Sequence, residues 1–197
     1  MEIRYSPVAT TLEASESPSP RIVGYAAIFN SLSEEMPVRA SEPHGRKFRE
    51  IIRPGAFAAS LVGQRAIFAN LQHDQTAILG STASGTLRLT EDNRGLRYEI
   101  TPPNTQTGRD AVELIRRGDV AMSSFGFSVR DGGETWRSER GSTIRELRSL
   151  ILYDVSPVTM AAYVATDVAL RSLAEWERSG GSGNTMMQMR LELAERW

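Results

Sequence analysis

The chain has 197 residues, no cysteine and a formal net charge of −1 at pH 7. These values exclude disulfides, thiolate metal sites and a cysteine nucleophile, and they do not indicate a general binder of nucleic acid or membrane surfaces. No stretch approaches the roughly 20 apolar residues that span a bilayer. His44 and His73 are the two histidines. A histidine-rich metal site is therefore not expected, and a mechanism with a histidine base has two candidates.

The first predicted elements are strands and polar loops. Residues 10–20 are polar and rich in proline and predict a loop, whereas the β-branched and aromatic run at 21–29 predicts a strand. The long polar segment 30–47 follows, and loops of that length in compact domains are often functional. Residues 48–57 predict a short strand with a Pro-Gly turn, and 66–74 a strand that ends at a polar corner.

A hairpin and a helix come next. Residues 86–100 predict two strands joined by the turn EDNRG. The spacing of apolar residues then changes to a helical period, and one face of the helix is formed by Ala111, Val112, Leu114 and Ile115. Thr107 or Asn104 is the expected N-cap of this helix, and Gly118 is expected to end it.

The remaining elements complete one domain and a tail. Strands are predicted at 120–130 and 143–158, with a charged turn between them, and a helix at 160–179. Residues 1–177 are expected to form one mixed, mainly β domain. The remainder, 178–197, starts with the glycine-rich sequence RSGGSGN and predicts a flexible linker followed by a short amphipathic helix.

The strand AMSSFGFSV places two serines side by side in an apolar segment. Because successive side chains of a strand point to opposite faces, Ser123 shares the aromatic face with Phe125 and is expected to pack in the core. Ser124 points the other way, beside Gly126, whose missing side chain leaves open space for a substrate backbone. Most strand serines have no function, so Ser124 is a candidate nucleophile with an ordinary strand serine as the alternative.

A serine hydroxyl is a weak nucleophile and needs a base. His73 in NLQHD ends an apolar strand, where a rigid scaffold can present its ring to a cleft. The alternative for His73 is a histidine whose hydrogen bonds are satisfied locally, and His44 in the polar loop is expected to be solvated. Asp74 is a poor partner for the His73 ring, because adjacent side chains on an extended chain point apart.

A third group should orient the imidazole and stabilise its charged form. Asp154 interrupts the apolar strand LILYDVSPV, where an unpaired carboxylate would be costly, and it shares a face with Ser156. An edge-strand carboxylate in water is the alternative. Glu146 in TIREL is the second candidate, although it lies in a charged stretch where solvated carboxylates are expected.

Five short motifs stand in a fixed order along the chain. They are GYAAIFN (24–30), FREIIRPGAF (48–57), LQHD (71–74), RGDVAMSSFGFSV (117–129) and LYDVSPVTMAAY (152–163). Together they resemble the prohead proteases, which are the head-maturation proteases of tailed phages. The resemblance implies a serine endopeptidase with an α+β fold like that of herpesvirus assembly proteases, a mostly antiparallel β-barrel wrapped by helices. It assigns the nucleophile to Ser124, the histidine to His73 and the acid to Asp154.

The chain departs from the family pattern at four positions, one of them the position after Thr159 in VTMAAY, which lacks the family's frequent proline. Gln72 stands where asparagine is usual before the histidine, and Ser123 stands where methionine is usual before the nucleophile. Asp154 replaces the commoner glutamate, so its carboxylate reaches about one methylene less. Backbone N–H groups must stabilise the oxyanion. Gly126 and the Arg-Gly segments are the candidate contributors.

The resemblance also implies partners and a location. The expected substrates are the major capsid protein with its scaffolding segment or a separate scaffold protein, and the chain itself, inside the assembling prohead in the host cytoplasm. A homodimer is implied, and no cofactor, metal, nucleic acid or membrane is expected. The alternative is a non-catalytic capsid-assembly or scaffold-associated protein on the same fold, because fold alone does not fix function. A third hypothesis, an oligonucleotide-binding barrel, is disfavoured by the near-neutral charge.

Overall fold

The computed structural model describes residues 1–6, 8–15, 20–37, 47–139, 141–159, 173 and 175–179. Strands dominate this part of the chain. In chain order they are β1 (Glu2–Ser6), β2 (Thr11–Glu13), β3 (Arg21–Ile28), β4 (Met36–Pro37), β5 (Lys47–Ile52), β6 (Phe68–Asn70), β7 (Ile78–Ser81), β8 (Leu87–Glu91), β9 (Gly95–Ile100), β10 (Met122–Val129), β11 (Glu134–Glu139), β12 (Ser142–Leu147) and β13 (Leu150–Val158). The helices are α1 (Ala58–Leu61) and α2 (Gln106–Arg117). This content agrees with the predicted α+β class.

The described strands form three sheets. Their orders are β1-β10-β13-β6-β7, β11-β12-β5-β4 and β2-β3-β9-β8. Most pairs are antiparallel, as predicted, whereas β12 pairs with β5 and β13 with β6 in parallel. A closed barrel needs an unbroken ladder from its first strand to its last. In the described residues each sheet instead runs between two different terminal strands, so the predicted barrel closure is not found there.

The core lies where the sheets meet and is rich in aromatic rings. Phe125 on β10 contacts Phe127 with ring centroids 5.1 Å apart and Phe57 at 5.5 Å. Large, fully buried members of this core are Phe57, Leu79, Leu96, Tyr98, Ile100, Phe125, Phe127 and Leu147. One face of β10 therefore belongs to the core, as strand alternation predicts.

A cluster of buried charges attaches β1 to the second sheet. The Arg4 guanidinium donates to Glu50 at 2.5 and 2.9 Å and to Glu2 at 2.9 Å, and Arg145 donates to the same two carboxylates. Burial alone would raise the pKa of the Glu50 carboxyl, but the charges of Arg4 and Arg145 outweigh it, and this pKa lies below its usual range. Removing one partner from such a cluster typically costs about 3–5 kcal/mol. These charges hold β1 in place.

Helix α2 matches its sequence prediction except at its first residue. Gly118 ends the helix with a φ of 83°, in the left-handed region that suits glycine. The N-cap is Thr105, whose Oγ1 accepts from the Gly108 N–H at 3.3 Å. The predicted caps, Thr107 and Asn104, were wrong by one or two residues, because the N-cap is the residue whose backbone is still extended.

Three of the described strands lie in segments predicted as loops or turns, among them β4 in the predicted loop 30–47. β11 occupies the predicted charged turn between 130 and 143, and β2 lies inside the predicted loop 10–20. Trp136 on β11 packs against Phe48 with ring centroids 5.3 Å apart. Phe48 is far from Trp136 in the sequence, so the residues around Trp136 do not indicate that a strand forms there.

Several predictions fall outside the described residues. They concern His44 with residues 38–46 of the predicted loop, the predicted helix apart from residues 173 and 175–179, and the tail from residue 180 onward. Residues 173 and 175–178 are helical, as predicted. In the described ranges, no helix is long and apolar enough to cross a bilayer.

Candidate active site

β10 places its two adjacent serines on opposite faces. Ser123 lies on the core side, where its Oγ is 2.8 Å from the Tyr98 hydroxyl and 3.0 Å from the Thr10 hydroxyl. Ser124 lies on the other face of the five-stranded sheet, which we call the outer face. Both serines have no exposed surface. The alternation is as predicted, but the open space expected beside Ser124 is absent.

The space beside Ser124 is filled by a carboxylate. A Cβ built on Gly126 would lie 2.7 Å from the Asp154 Oδ2 and 3.1 Å from the Met1 Sδ. Asp154 on β13 is the register partner of Gly126 on β10, so their positions face each other across the ladder. Gly126 therefore makes room for the Asp154 side chain, not for a substrate backbone.

His73 lies in the turn after β6, in a strained backbone conformation. Gln72 and His73 have φ values of 58° and 59°, in the left-handed region. For residues other than glycine this conformation costs about 1–2 kcal/mol. Two hydrogen bonds to β13 hold the turn, from the Gln72 N–H to the Pro157 carbonyl at 3.1 Å and from the His73 N–H to the Ser156 Oγ at 3.2 Å. Asparagine adopts this region more readily than glutamine, which gives a physical reason for the family's asparagine at position 72.

The three predicted site residues meet in one chain of contacts. The His73 Nε2 is 2.5 Å from the Ser124 Oγ, and the His73 Nδ1 is 2.5 Å from the Asp154 Oδ1. The imidazole thus bridges a hydroxyl and a carboxylate. With its Nδ1 hydrogen directed at the carboxylate, the Nε2 lone pair faces the hydroxyl. The His73 and Asp154 side chains are about one-tenth exposed, at 11% and 10%.

Ser156 is a site residue to which the sequence assigned no role. Its Oγ accepts from the His73 N–H and donates to the Asp154 Oδ1 at 3.4 Å, and it lies 3.3 Å from the His73 Nδ1. Ser156 therefore links the acid to the strained turn. The available signal was its position two residues after Asp154, which puts both side chains on the same face of the strand.

A main-chain carbonyl also contacts Ser124. The Ser124 hydroxyl donates to the Arg4 carbonyl at 2.9 Å, across the β1–β10 ladder. A hydroxyl has one hydrogen, so the Arg4 carbonyl and the His73 Nε2 compete for it. The Tyr5 ring on the same strand meets the His73 ring edge-on, with centroids 6.5 Å apart. No sequence signal identifies the contact between Ser124 and the Arg4 carbonyl, because every residue carries the same main-chain carbonyl.

The second acid candidate, Glu146, is engaged elsewhere. Its carboxylate accepts from Arg53 at 2.5 Å, from Arg148 at 2.6 Å and from Arg137 at 2.9 Å. The hydrogen bond from Arg53, opposed by burial and reinforced by the other two arginines, lowers the pKa of Glu146 to about 2. Asp154, not Glu146, contacts the His73 ring.

Comparison with models of protein families assigns the chain to one family. The family model of caudovirus prohead serine proteases matches residues 8–179. The chain belongs to this family. The matched range contains Ser124, His73 and Asp154, whereas β1 precedes it. The family resemblance found in the sequence motifs is therefore confirmed.

Other comparisons add little to this family assignment. The ACT domain-containing protein ACR1 of Arabidopsis thaliana is 32% identical to the chain over 103 residues. The match covers 50% of this chain and 21% of the plant protein, so the chain spans about a fifth of that protein's length. No solved structure is significantly similar to the chain.

The chemical capacity of the site follows from its order of groups. A hydroxyl, an imidazole and a carboxylate in sequence can form an activated nucleophile, its base and the group that orients the base. Within the residues that the structure describes, no cluster of three or more histidine, aspartate or glutamate side chains could hold a metal ion. The prohead protease family and this constellation point to the same reaction class, acyl transfer.

Proposed function

We propose that this chain is a serine endopeptidase that cleaves phage capsid and scaffold proteins, and itself, during prohead maturation. The observation that carries the proposal is the chain of contacts from Ser124 through His73 to Asp154, two distances of 2.5 Å each. Membership of the caudovirus prohead serine protease family supports the same activity. Ser124 is the nucleophile, His73 the general base and Asp154 the group that orients His73.

The proposed reaction has two halves. The His73 Nε2 takes the hydroxyl hydrogen as the Ser124 Oγ attacks the scissile carbonyl carbon, and the hydrogen then passes to the leaving amine. The acyl group stays on Ser124. Water, deprotonated by His73, attacks this ester; the bond to the Ser124 Oγ breaks, His73 returns the hydrogen to that Oγ, and the second product leaves as the acid. Asp154 accepts from the Nδ1 hydrogen throughout and stabilises the imidazolium.

The burial of Ser124 adds one requirement to this mechanism. Its Oγ has no exposed surface and donates to the Arg4 carbonyl, so a substrate carbonyl cannot reach it in this arrangement. The structure must open beside β1 before attack. Displacement of the Arg4 carbonyl would also leave His73 as the remaining acceptor for the hydroxyl hydrogen.

The remaining parts of the proposal rest on resemblance and family membership. Residues 1–177 form the protease domain, and 178–197 a linker with a helical tail that is a candidate for self-cleavage. The major capsid protein with its scaffolding segment, or a separate scaffold protein, is the substrate. The enzyme acts inside the assembling prohead in the host cytoplasm, as a homodimer with a fold like that of herpesvirus assembly proteases.

Fluorophosphonate labelling tests the nucleophile directly. We expect wild-type protein to be labelled at Ser124, as located by peptide mass spectrometry, because fluorophosphonates react with activated serines. Ser124→Ala and His73→Ala should lose the label, and the matched control Ser123→Ala should keep it. Labelling of wild type and His73→Ala at equal rates would contradict the assigned pair.

A non-catalytic capsid-assembly protein is the second candidate. The full burial of Ser124 favours it, because a buried hydroxyl can serve a structural role. Wild-type protein that stays unlabelled, and that leaves a capsid or scaffold substrate intact, would support this candidate over the protease.

A further inference from the structure

A cleft opens on the outer face, next to Asp154. Its volume is about 360 Å³, and its lining includes Arg65, Phe68, Asn70, Ile78, Tyr153 and Asp154. Asp154 separates the cleft from His73, whose Nδ1 it contacts at 2.5 Å. The cleft, which we call the Asn70 cleft, therefore begins one side chain away from the proposed triad.

Asn70 presents a buried and unpartnered oxygen. The residue is 4% exposed, and its Oδ1 has no hydrogen-bond partner in the described structure. The pairing of β6 with β7 is irregular between Ala69 and Asn70, and such bulges re-aim a side chain. A buried acceptor without a partner destabilises the fold, and native proteins rarely keep one without a reason. A bound N–H group would satisfy it once the Asn70 side chain turns toward the cleft, because its Oδ1 has almost no accessible surface in this arrangement.

The walls of the Asn70 cleft are apolar and exposed. Phe68 is 41% and Ile78 47% exposed, which is unusual for large apolar side chains in this structure. Ile78 is the register partner of Asn70, and Phe68 that of Asp154, so these side chains share the outer face. An aliphatic stem inserted between Phe68 and Ile78 would shield both from water.

The charges around the Asn70 cleft favour a neutral occupant. The Arg65 guanidinium lies over the Tyr153 ring, 4.7 Å from its centroid, and the Asp154 carboxylate is already bound to His73. A lysine or arginine side chain would therefore meet a cation, and it would compete with His73 for the Asp154 carboxylate. A carboxamide brings an N–H donor for Asn70 and no charge.

We propose that the Asn70 cleft binds a neutral carboxamide side chain, glutamine or asparagine, of the peptide substrate. The amide N–H donates to the Asn70 Oδ1, and the stem lies between Phe68 and Ile78. The assignment rests on the proposed protease function in one respect, that the occupant belongs to a substrate. Asn70 is then a specificity-determining residue next to the triad.

Peptide binding to a cleavage-defective protein tests the cleft without needing activity. The probes are acetyl-Ala-Ala-Xaa-Ala-Ala-amide pentapeptides with glutamine, leucine, lysine or glutamate at Xaa, titrated into full-length Ser124→Ala and followed by NMR. We expect the glutamine peptide to shift the Asn70 side-chain amide and the Ile78 methyl signals and to bind at least about tenfold tighter than the leucine peptide. In Asn70→Leu on the same background, this preference should disappear.

Three outcomes would overturn the assignment. They are leucine binding as tightly as glutamine, lysine binding more tightly than glutamine, and absence of shifts at Asn70 and Ile78 with every peptide. Val62→Ala, an exposed site outside the cleft lining, is the control and should bind like its parent.

Thermal stability gives a second readout. Asn70→Leu should raise Tm, because it removes an unpartnered buried amide. Asn104→Leu is the control, because the Asn104 Oδ1 has a partner and accepts from Arg109 at 3.0 Å. The Asn104→Leu variant should have an unchanged or lower Tm. A lower Tm for Asn70→Leu would mean that Asn70 has a structural role, and the proposal would fail.

Fluorophosphonate labelling of wild-type protein separates the two hypotheses. If labelling and cleavage of a capsid or scaffold substrate both fail and the glutamine peptide still binds, the protease function is wrong and the carboxamide site stands. If labelling succeeds and no peptide shifts the Asn70 signals, only the cleft assignment is wrong.

Discussion

Ser123 and Ser124 are adjacent in β10, equally buried and both hydrogen-bonded, yet their surroundings differ in chemistry. The Ser123 hydroxyl lies among the Tyr98 and Thr10 hydroxyls. The Ser124 hydroxyl lies against the His73 imidazole. Burial raises the pKa of Tyr98 to about 12, so this neighbour stays neutral near pH 7 and cannot act as a base there. Burial and hydrogen bonding therefore do not distinguish a candidate nucleophile; the basicity of its partner does.

Each serine also has a glycine that makes room for its partner. A Cβ on Gly126 would press on the Asp154 carboxylate, and a Cβ on Gly24 would collide with the Tyr98 hydroxyl and lie 2.9 Å from the Ser123 Oγ. The two glycines are thus matched sites for substitution. Substitution of Gly126 should affect the rate of cleavage, and substitution of Gly24 should affect the packing of the core.

The largest expected effect is the loss of one hydroxyl. Ser124→Ala should reduce cleavage of a capsid or scaffold substrate by at least roughly 10,000-fold, because no nucleophile remains. Ser123→Ala should keep cleavage within a few-fold of wild type. Cleavage rates on gels, with circular dichroism to show that both variants fold, provide the measurement. Equal losses in the two variants would remove the functional distinction between the serines.

The second effect concerns the orientation of His73. Asp154→Asn replaces an acceptor by a side chain that can also donate, which favours the wrong tautomer of the ring and should lower kcat about 1,000- to 10,000-fold. Glu146→Gln, which removes a buried charge that does not contact His73, should leave the rate per folded molecule unchanged. A larger rate loss in Glu146→Gln than in Asp154→Asn would reassign the acid.

The glycine pair should produce a smaller effect. In Gly126→Ala the new methyl group displaces the Asp154 carboxylate from His73, and we expect a loss of kcat of about 10- to 100-fold with a modest change in stability. Gly24→Ala should lower Tm, because the Tyr98 ring is fully buried and has little freedom to move. Its rate per folded molecule should stay near wild type. An unchanged kcat in Gly126→Ala would show that the Asp154 carboxylate can move without consequence.

The smallest effect is a pH dependence of stability on the Ser123 side. The Tyr98 pKa of about 12 lies above the ordinary tyrosine pKa of 10.0, so between these pH values the unfolded chain loses the proton that the folded chain keeps. This contribution to stability is fully present below about pH 10 and is lost as the pH rises to about 12, about 2–3 kcal/mol in total. Urea unfolding gives the free energy of unfolding of wild type and of Tyr98→Phe between pH 9 and 11. With rising pH this free energy should fall less in Tyr98→Phe than in wild type. Parallel curves for the two proteins would contradict the shift.

Local patterns predicted much of the fold. The alternation of apolar and polar residues separated Ser123 from Ser124 correctly, because side-chain direction in a strand has a period of two residues. The strand at 21–29, the hairpin at 86–100 and the Gly118 helix end follow from equally local rules and are confirmed.

Contacts between distant segments could not be predicted in this way. The charged sequence of β11 predicts a turn, and the ring of Phe48 that packs on Trp136 lies 88 residues earlier in the chain. The site shows the same limit. The Arg4 carbonyl on Ser124, the Ser156 hydroxyl on His73 and the unpartnered Asn70 oxygen depend on how β1, β10, β13 and β6 are aligned.

The sequence by itself determined which face of β10 presents Ser124, because side-chain direction in a strand has a short-range period, and the resemblance of its motifs to a family nominated the side chains of the proposed chemistry. Only the tertiary structure decided that Ser124 is buried, that Gly126 makes room for Asp154, and that a cleft lies beyond that carboxylate. These properties come from strand register and packing between segments far apart in the chain, which no local pattern encodes.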